Sequence, residues 1–261
     1  MFDFHIHTKV SYDSQAEPEK VISVAESSGL KEICFTDHLD YNPSMPNNDF
    51  TFSTDLYNAC YDQLYSDRIK ICRGCEFGLL PDNADMLRSD LQRRPFDFVI
   101  GSAHCIDGMD IYYPDFWVGR SMAEAERKYF EEILACVYNH NDYDVLGHLT
   151  YICKLCHHIP VRHIFYEEYS SLIDEIFSVL IRKGKGIEVN TSGMDVCGSF
   201  LPDAQYLKRF KELGGRIVTV GSDSHNCERV GQYCYEACKM VSDIFGYVCT
   251  FQQREPIYHK F

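Results

Sequence analysis

Seven short apolar runs recur along the chain, with longer amphipathic stretches between several of them. The runs are Phe2 to Ile6, Glu32 to Thr36, Ile69 to Cys75, Phe96 to Ile100, Tyr143 to Leu146, Gly186 to Asn190 and Arg216 to Val220. Helical periodicity fills Pro18 to Ser27, Ala123 to Tyr138, Tyr166 to Lys183 and Ala204 to Leu213, and Gly214-Gly215 supplies a C-cap signal after the last. Strand alternating with helix predicts a parallel sheet, and this many units points to a closed or nearly closed barrel. At 261 residues the chain is close to the size of one α/β barrel, about 250 residues. A single domain over residues 1–261 is therefore expected. Asn42 to Thr54 and Gly108 to Gly119 read as loops after strands, where barrels place substrate contacts.

Nearly every run is followed at once by a potential metal ligand. His5 and His7 close the first; two apart in a strand, they point to the same side and can reach one ion. Thr36-Asp37-His38 closes the second and Glu76 the third. His104 follows the fourth, His148 the fifth, and Asp223-Ser224-His225 the last. A lone histidine at a strand end is more often a hydrogen-bonded structural residue. Six histidines and two carboxylates gathered at the C-terminal ends, the face where barrel enzymes build their sites, point to metal instead. Nitrogen mixed with carboxylate oxygen suits zinc, manganese or iron better than magnesium, and so many ligands imply more than one ion. Glu76 is placed to bridge two of them.

The ordered set His5-Ile6-His7, Thr36-Asp37-His38, Glu76, His104, His148 and Asp223-Ser224-His225 resembles the polymerase and histidinol phosphatase (PHP) superfamily. Gly101-Ser102-Ala103-His104-Cys105-Ile106-Asp107-Gly108, Asp144 to Leu149 and Glu188 to Gly193 resemble the GSxHxxDG, DVLGH and EINTSG segments of its histidinol-phosphatase branch. The resemblance covers nearly the whole chain. It implies a distorted (β/α)7 TIM-like barrel with a site for two to three ions that hydrolyses a phosphate monoester, L-histidinol phosphate above all. One ion would take His5, His7, Glu76 and Asp223; a second would share Glu76 and add His104 and His148. A third would take His38, His225 and Asp13, where some relatives have histidine. Glu76, His104 and Asp223 are the expected catalytic residues. Water activated between the ions would attack phosphorus while their charge neutralises the phosphoryl oxygens. The chain departs from the branch after the Thr191-Ser192-Gly193 turn: relatives commonly carry a basic residue there, and here Met194-Asp195 follows. Lys154, Arg162 and Arg229 are the candidates to bind the substrate phosphate instead. The other readings are a PHP phosphoesterase for a sugar or nucleotide phosphate and a metal-binding module without catalysis.

Composition narrows the partners. A net charge of −14 argues against gripping nucleic acid, which needs clustered Lys and Arg. No apolar run approaches transmembrane length. The chain opens directly on an apolar run rather than an export signal, so its 13 cysteines are expected as thiols in a reducing cytoplasm. Cys153-Lys154-Leu155-Cys156-His157 matches the haem-attachment pattern CxxCH, but that chemistry goes with export; a zinc site with His157 or His158 lacks a second cysteine pair. Cys72 and Cys75 read as packing residues. Asp3 is expected to orient His5 or His7 through a hydrogen bond. His140, His163 and His259 fall off the strand-end pattern and read as surface residues. Tyr112, Tyr113, Phe116 and Trp117 read either as a small lid core or as an apolar wall against an imidazole-bearing substrate.

Overall fold

A computed structural model of the chain describes residues 1–43, 50–154 and 162–261. The strands are β1 (Phe2–Ile6), β2 (Glu32–Phe35), β3 (His38–Leu39), β4 (Lys70–Gly78), β5 (Phe98–Ser102), β6 (Cys105–Ile106), β7 (Met109–Asp110), β8 (Val145–Leu146), β9 (Gly186–Asn190), β10 (Val218–Gly221), β11 (Val248–Gln252) and β12 (Glu255–His259). The helices are α1 (Pro18–Ser27), α2 (Thr54–Tyr61), α3 (Ala84–Arg93), α4 (Pro114–Trp117), α5 (Met122–Asn139), α6 (Ser170–Arg182), α7 (Met194–Cys197), α8 (Ala204–Glu212) and α9 (Cys234–Phe245).

Seven parallel strands run in the order β1-β2-β4-β5-β8-β9-β10, with β3 also paired to β4. Helices cover the outside and side chains fill the inside, so β1, β5 and β9 are buried along their whole length. The seam between β1 and the segment after β10 is joined by backbone bonds, His7 N to Ser224 O at 2.9 Å and Asp223 N to His5 O at 2.8 Å. This is the nearly closed barrel expected from the alternation, with the (β/α)7 count.

Local chemistry sets the element boundaries. Helix α5 starts at a capping box, Ser121 and Glu124 satisfying each other's backbone donors. Helix α8 starts at Asp203, whose carboxylate accepts from Gln205 N. Three departures from the periodicity reading have clear causes. Strand β4 runs on to Gly78 because Glu76 keeps its ladder partners, His38 in β3 and Ile100 in β5. Tyr166–Glu168 forms a separate 3₁₀ turn before α6. The β11–β12 hairpin packs Phe251 against Phe98 at the N-terminal end of β5, with ring centroids 5.0 Å apart. Its turn residues Gln253 and Arg254 both have positive φ, the geometry of a tight two-residue hairpin turn.

No disulfide forms among the described residues, and Cys72 and Cys75 are buried as packing residues. Residues 44–49 of the loop expected over Asn42 to Thr54 lie outside the described residues. So do Leu155, Cys156, His157 and His158 of the CxxCH segment and its zinc alternative. No helix among the described residues is long and apolar enough to cross a membrane.

Candidate metal centre

The expected ligands meet at the C-terminal ends of the strands. His5 Nε2 and His7 Nε2 lie 3.0 Å apart. Glu76 Oε2 stands 3.3 Å from the first and 3.4 Å from the second. Asp223 Oδ1 stands 3.7 Å and 3.5 Å from the same two atoms. Four ligands at about 2.0–2.2 Å around a tetrahedral zinc have edges of about 3.3–3.6 Å. These four side chains therefore already outline one coordination polyhedron.

A second group forms on the other oxygen of Glu76. Oε1 lies 2.8 Å from His148 Nε2 and 3.4 Å from His104 Nε2, and the two imidazole nitrogens are 3.4 Å apart. A third surrounds Asp13, whose Oδ2 is 3.5 Å from His38 Nε2 and 3.1 Å from His225 Nε2. His5, His7 and Glu76, then Glu76, His104 and His148, and then His7, His38 and His225 each bring ligand atoms close enough together to hold a metal ion. The electrostatics fit that reading. Two imidazole nitrogens as close as His5 and His7 Nε2 are satisfied together by a shared cation. Buried His38 Nδ1 sits 3.1 Å from Glu76 Oε2 without hydrogen-bonding geometry and has no hydrogen-bond partner among the described residues.

The carboxylates and imidazoles of the cluster set one another's protonation. Burial disfavours the His38 imidazolium, but Glu76, Asp13 and Asp40 outweigh it and push its pKa up to about 9. Burial also opposes charge on His5 and His104, yet Glu188 and Asp40 respectively lead the carboxylates that hold them well above the usual range. His7, buried among His225, His38 and His5, is held well below. Glu76 stays well below the carboxylate range despite its burial, because His5, His104 and His38 surround it.

Further residues orient the imidazoles, and the motifs did not reveal them. Glu188 Oε1 accepts from His5 Nδ1 at 2.6 Å, and Asp40 Oδ2 accepts from His104 Nδ1 at 2.8 Å. A carboxylate behind an imidazole fixes its tautomer and raises its basicity. Ser11 Oγ meets His7 Nδ1 at 3.0 Å and donates to buried Asp37. Ser102 donates to Glu76 Oε1 at 2.7 Å. Signals for two of these were present: Asp40 stands two residues after His38, and Glu188 is an acidic residue inside an apolar strand.

Above the ligands lies a cavity of about 430 Å³, lined by Asp13, His38, Asp40, Glu76, His104, Asp110, His148, Asp223, His225, Lys154, Val196 and the rings of Tyr12, Tyr112, Tyr113 and Tyr151. Lys154 is the only lysine or arginine in this lining among the described residues; its Nζ donates to Ser192 Oγ at 2.7 Å and Asp223 Oδ2 at 3.2 Å. Arg162 and Arg229 are not brought there, which corrects the expectation that they bind the phosphate. Arg162 is clamped by Glu126 and Glu168, where it neutralises a fully buried carboxylate. Arg229 pairs with Asp195, which also accepts from Tyr233 at 2.9 Å.

The aromatic loop divides: Phe116 and Trp117 are buried as a small core, while Tyr112 and Tyr113 face the cavity. Asp3 accepts from the backbone of Ser222 and Gly231, both at 2.8 Å, and so ties the barrel seam rather than turning an imidazole ring. His140 is buried, not at the surface, with Nε2 donating to Leu80 O at 2.7 Å. His163 and His259 are partly buried, His163 beside Asp203 at 2.7 Å and His259 Nε2 beside Thr250 Oγ1 at 2.6 Å.

A nearly closed parallel barrel with histidine and carboxylate clusters at its C-terminal strand ends defines a class of metal-dependent proteins, and this chain belongs to the PHP domain family, which it matches over residues 3–192. Within that family it is 33% identical over 246 residues to the probable histidinol-phosphatase of Clostridium acetobutylicum, covering 93% of each chain. It is also 33% identical over 231 residues to the histidinol-phosphatase of Lactococcus lactis, covering 87% of this chain and 85% of that one. Its fold superposes on the Lactococcus lactis histidinol phosphate phosphatase, solved in complex with zinc, L-histidinol and phosphate, with a TM-score of 0.89, 31% identity and 98% of both chains covered. A Listeria monocytogenes structure at 18% identity shares the fold with a TM-score of 0.76, over 90% of this chain and 99% of that one.

Proposed function

We propose that the chain, acting as one domain, hydrolyses L-histidinol phosphate to L-histidinol and phosphate. Two to three divalent ions of zinc, manganese or iron would be held by His5, His7, Glu76 and Asp223, by Glu76, His104 and His148, and by Asp13, His38 and His225. The observation that carries this reading is the spacing around Glu76, whose two oxygens each face a separate set of imidazole nitrogens at 2.8–3.4 Å. The 33% identity to histidinol-phosphatases over most of the chain supports the choice of substrate.

The bound ions would supply Lewis-acid charge neutralisation and lower the pKa of a coordinated water. The protein's own side chains do the rest. Five carboxylates and one lysine line the cavity among the described residues, a surface that would repel a phosphate dianion without those ions. Lys154, which lines the cavity beside Asp223, would bind a phosphoryl oxygen. Glu188 and Asp40 hold His5 and His104 with Nε2 turned inward. Tyr12, Tyr112, Tyr113 and Tyr151 add aromatic surface to the cavity wall, against which the organic part of the substrate would pack.

Phosphate release from histidinol phosphate and a panel of other small monoesters tests the reading on metal-loaded protein. The expected result is a kcat/KM for histidinol phosphate at least about tenfold above the others, roughly 1.4 kcal/mol of discrimination. A preference of that size for an unrelated monoester removes the substrate and leaves the phosphoesterase.

A further inference from the structure

Among the described residues five carboxylates line the cavity, and four of them face imidazoles: Asp13, Asp40, Glu76 and Asp223 lie 3.1, 2.8, 2.8 and 3.5 Å from the nearest ring nitrogen of a facing strand or loop. Asp110 is the exception. It ends β7, and the β6–β7 hairpin holds it at the cavity wall on the side of His104 and Asp40. Its Oδ1 accepts from the backbone N–H of Tyr112 at 2.9 Å and its Oδ2 from the Asn42 amide at 2.8 Å. Both donors are neutral. No lysine, arginine or histidine among the described residues stands within ion-pair distance of Asp110, although the residue is part-buried and His104 acts on it only from farther off.

A part-buried carboxylate with only neutral donors retains unmet acceptor capacity and favours a cation beside it. Two preset hydrogen bonds fix where that cation would stand. Tyr12, Tyr112 and Tyr113 line the same cavity, and aromatic faces attract a cation and flank a planar ring. The substrate of the proposed reaction has the matching chemistry. Its ammonium sits on the carbon next to the phosphorylated CH₂, so a phosphate at the metal centre carries the ammonium along with it into the cavity.

We propose that Asp110 is the ammonium subsite of this cavity and selects phosphate esters of amino alcohols over esters without the amine. The assignment rests on the proposed phosphatase reading and deepens it. Asp110 takes no part in the bond-breaking; it acts on substrate binding.

The test compares two substrates on metal-loaded enzyme: histidinol phosphate, and the phosphate ester of 3-(imidazol-4-yl)propan-1-ol, which lacks only the amine. Wild-type protein is expected to favour the amine substrate. Asp110→Asn, which keeps the shape and one acceptor oxygen, should raise KM for histidinol phosphate roughly 10- to 100-fold with kcat little changed. It should leave the des-amino ester untouched. Asp110→Glu should recover part of the preference, and thermal unfolding of both variants checks that the hairpin still folds. Equal losses on both substrates would make Asp110 a support of the hairpin and overturn the subsite. A wild-type enzyme that hydrolyses both esters equally well overturns the subsite while leaving the phosphatase reading intact. Hydrolysis of an unrelated monoester but of neither of these overturns the phosphatase substrate, and the subsite with it.

Discussion

Five imidazoles surround Glu76, from His5, His7 and His38 on one oxygen and from His104 and His148 on the other. A side chain in that position sets the charge between neighbouring ions, so Glu76→Gln is expected to lower turnover at least about 100-fold and to reduce metal content. Near-normal turnover with full metal by elemental analysis removes Glu76 from the coordination sphere. Two basic residues separate by the same kind of reasoning. Lys154→Ala should lower kcat/KM for the phosphate ester about 10- to 100-fold, the scale of one lost charged contact to substrate. Arg162→Ala should leave kinetics within about twofold and cost about 2 kcal/mol of stability, because it strands the buried Glu126 carboxylate while its own half-exposed head is partly screened. Denaturant unfolding beside steady-state kinetics distinguishes the two patterns. Asp195, which follows the Thr191-Ser192-Gly193 turn, pairs with Arg229, so Asp195→Ala should leave KM unchanged.

At the scale of elements, the centre depends on how closely β10 approaches β1. A Cβ on Gly221 would stand 2.3 Å from His5 Cβ and 2.6 Å from Glu188 Oε1, so any side chain there pushes against the imidazole and the carboxylate that orients it. Two residues on, Asp223 takes φ 54°, a left-handed conformation that costs a non-glycine residue energy and turns its carboxylate back toward His5 and His7. Gly221→Ala is expected to cost about 1–3 kcal/mol by overpacking and to weaken metal retention. A lowered Tm in metal-free protein shows the packing loss. A greater metal loss than wild type under mild chelation shows that His5 has moved. An unchanged Tm would mean the seam can open to admit a methyl group.

Across the whole molecule, the proposed ligands come from β1, β3, β4 and the segments after β1, β5, β8 and β10, so bound ions would tie together strands from all around the barrel. Metal stabilises by binding the folded state in preference to the unfolded one. Chelation is therefore expected to lower Tm, and reconstitution to restore it with two to three equivalents per chain. At most one equivalent after reconstitution would overturn the three-group assignment. Protons compete for the same nitrogens. His38 holds its proton up to about pH 9 in the metal-free chain, and His5 and His104 are also raised, so metal affinity should rise with pH and weaken between about pH 8 and about pH 6. Titration with zinc at the two pH values checks the sign.

Much of the architecture is written in local sequence. Short apolar runs alternating with amphipathic helices dictate a parallel barrel because only a helical crossover returns the chain to the same end of the next parallel strand. His5 and His7 share a face because side chains alternate along a strand, and the other expected ligands follow strand ends, where a barrel opens. Tertiary structure decided everything that depends on distance between elements. Which of Lys154, Arg162 and Arg229 lines the cavity turned on the carboxylates around them: Arg162 goes to Glu126, which burial would otherwise leave unpaired, and Arg229 goes to the exposed Asp195. Glu188 and Asp40 became the orienting partners of His5 and His104 only when residues 183 and 64 positions away in sequence were folded to hydrogen-bond distance. A histidine can be recognised from its place at the end of a strand; the group behind it, which sets its tautomer and charge, is defined only by packing.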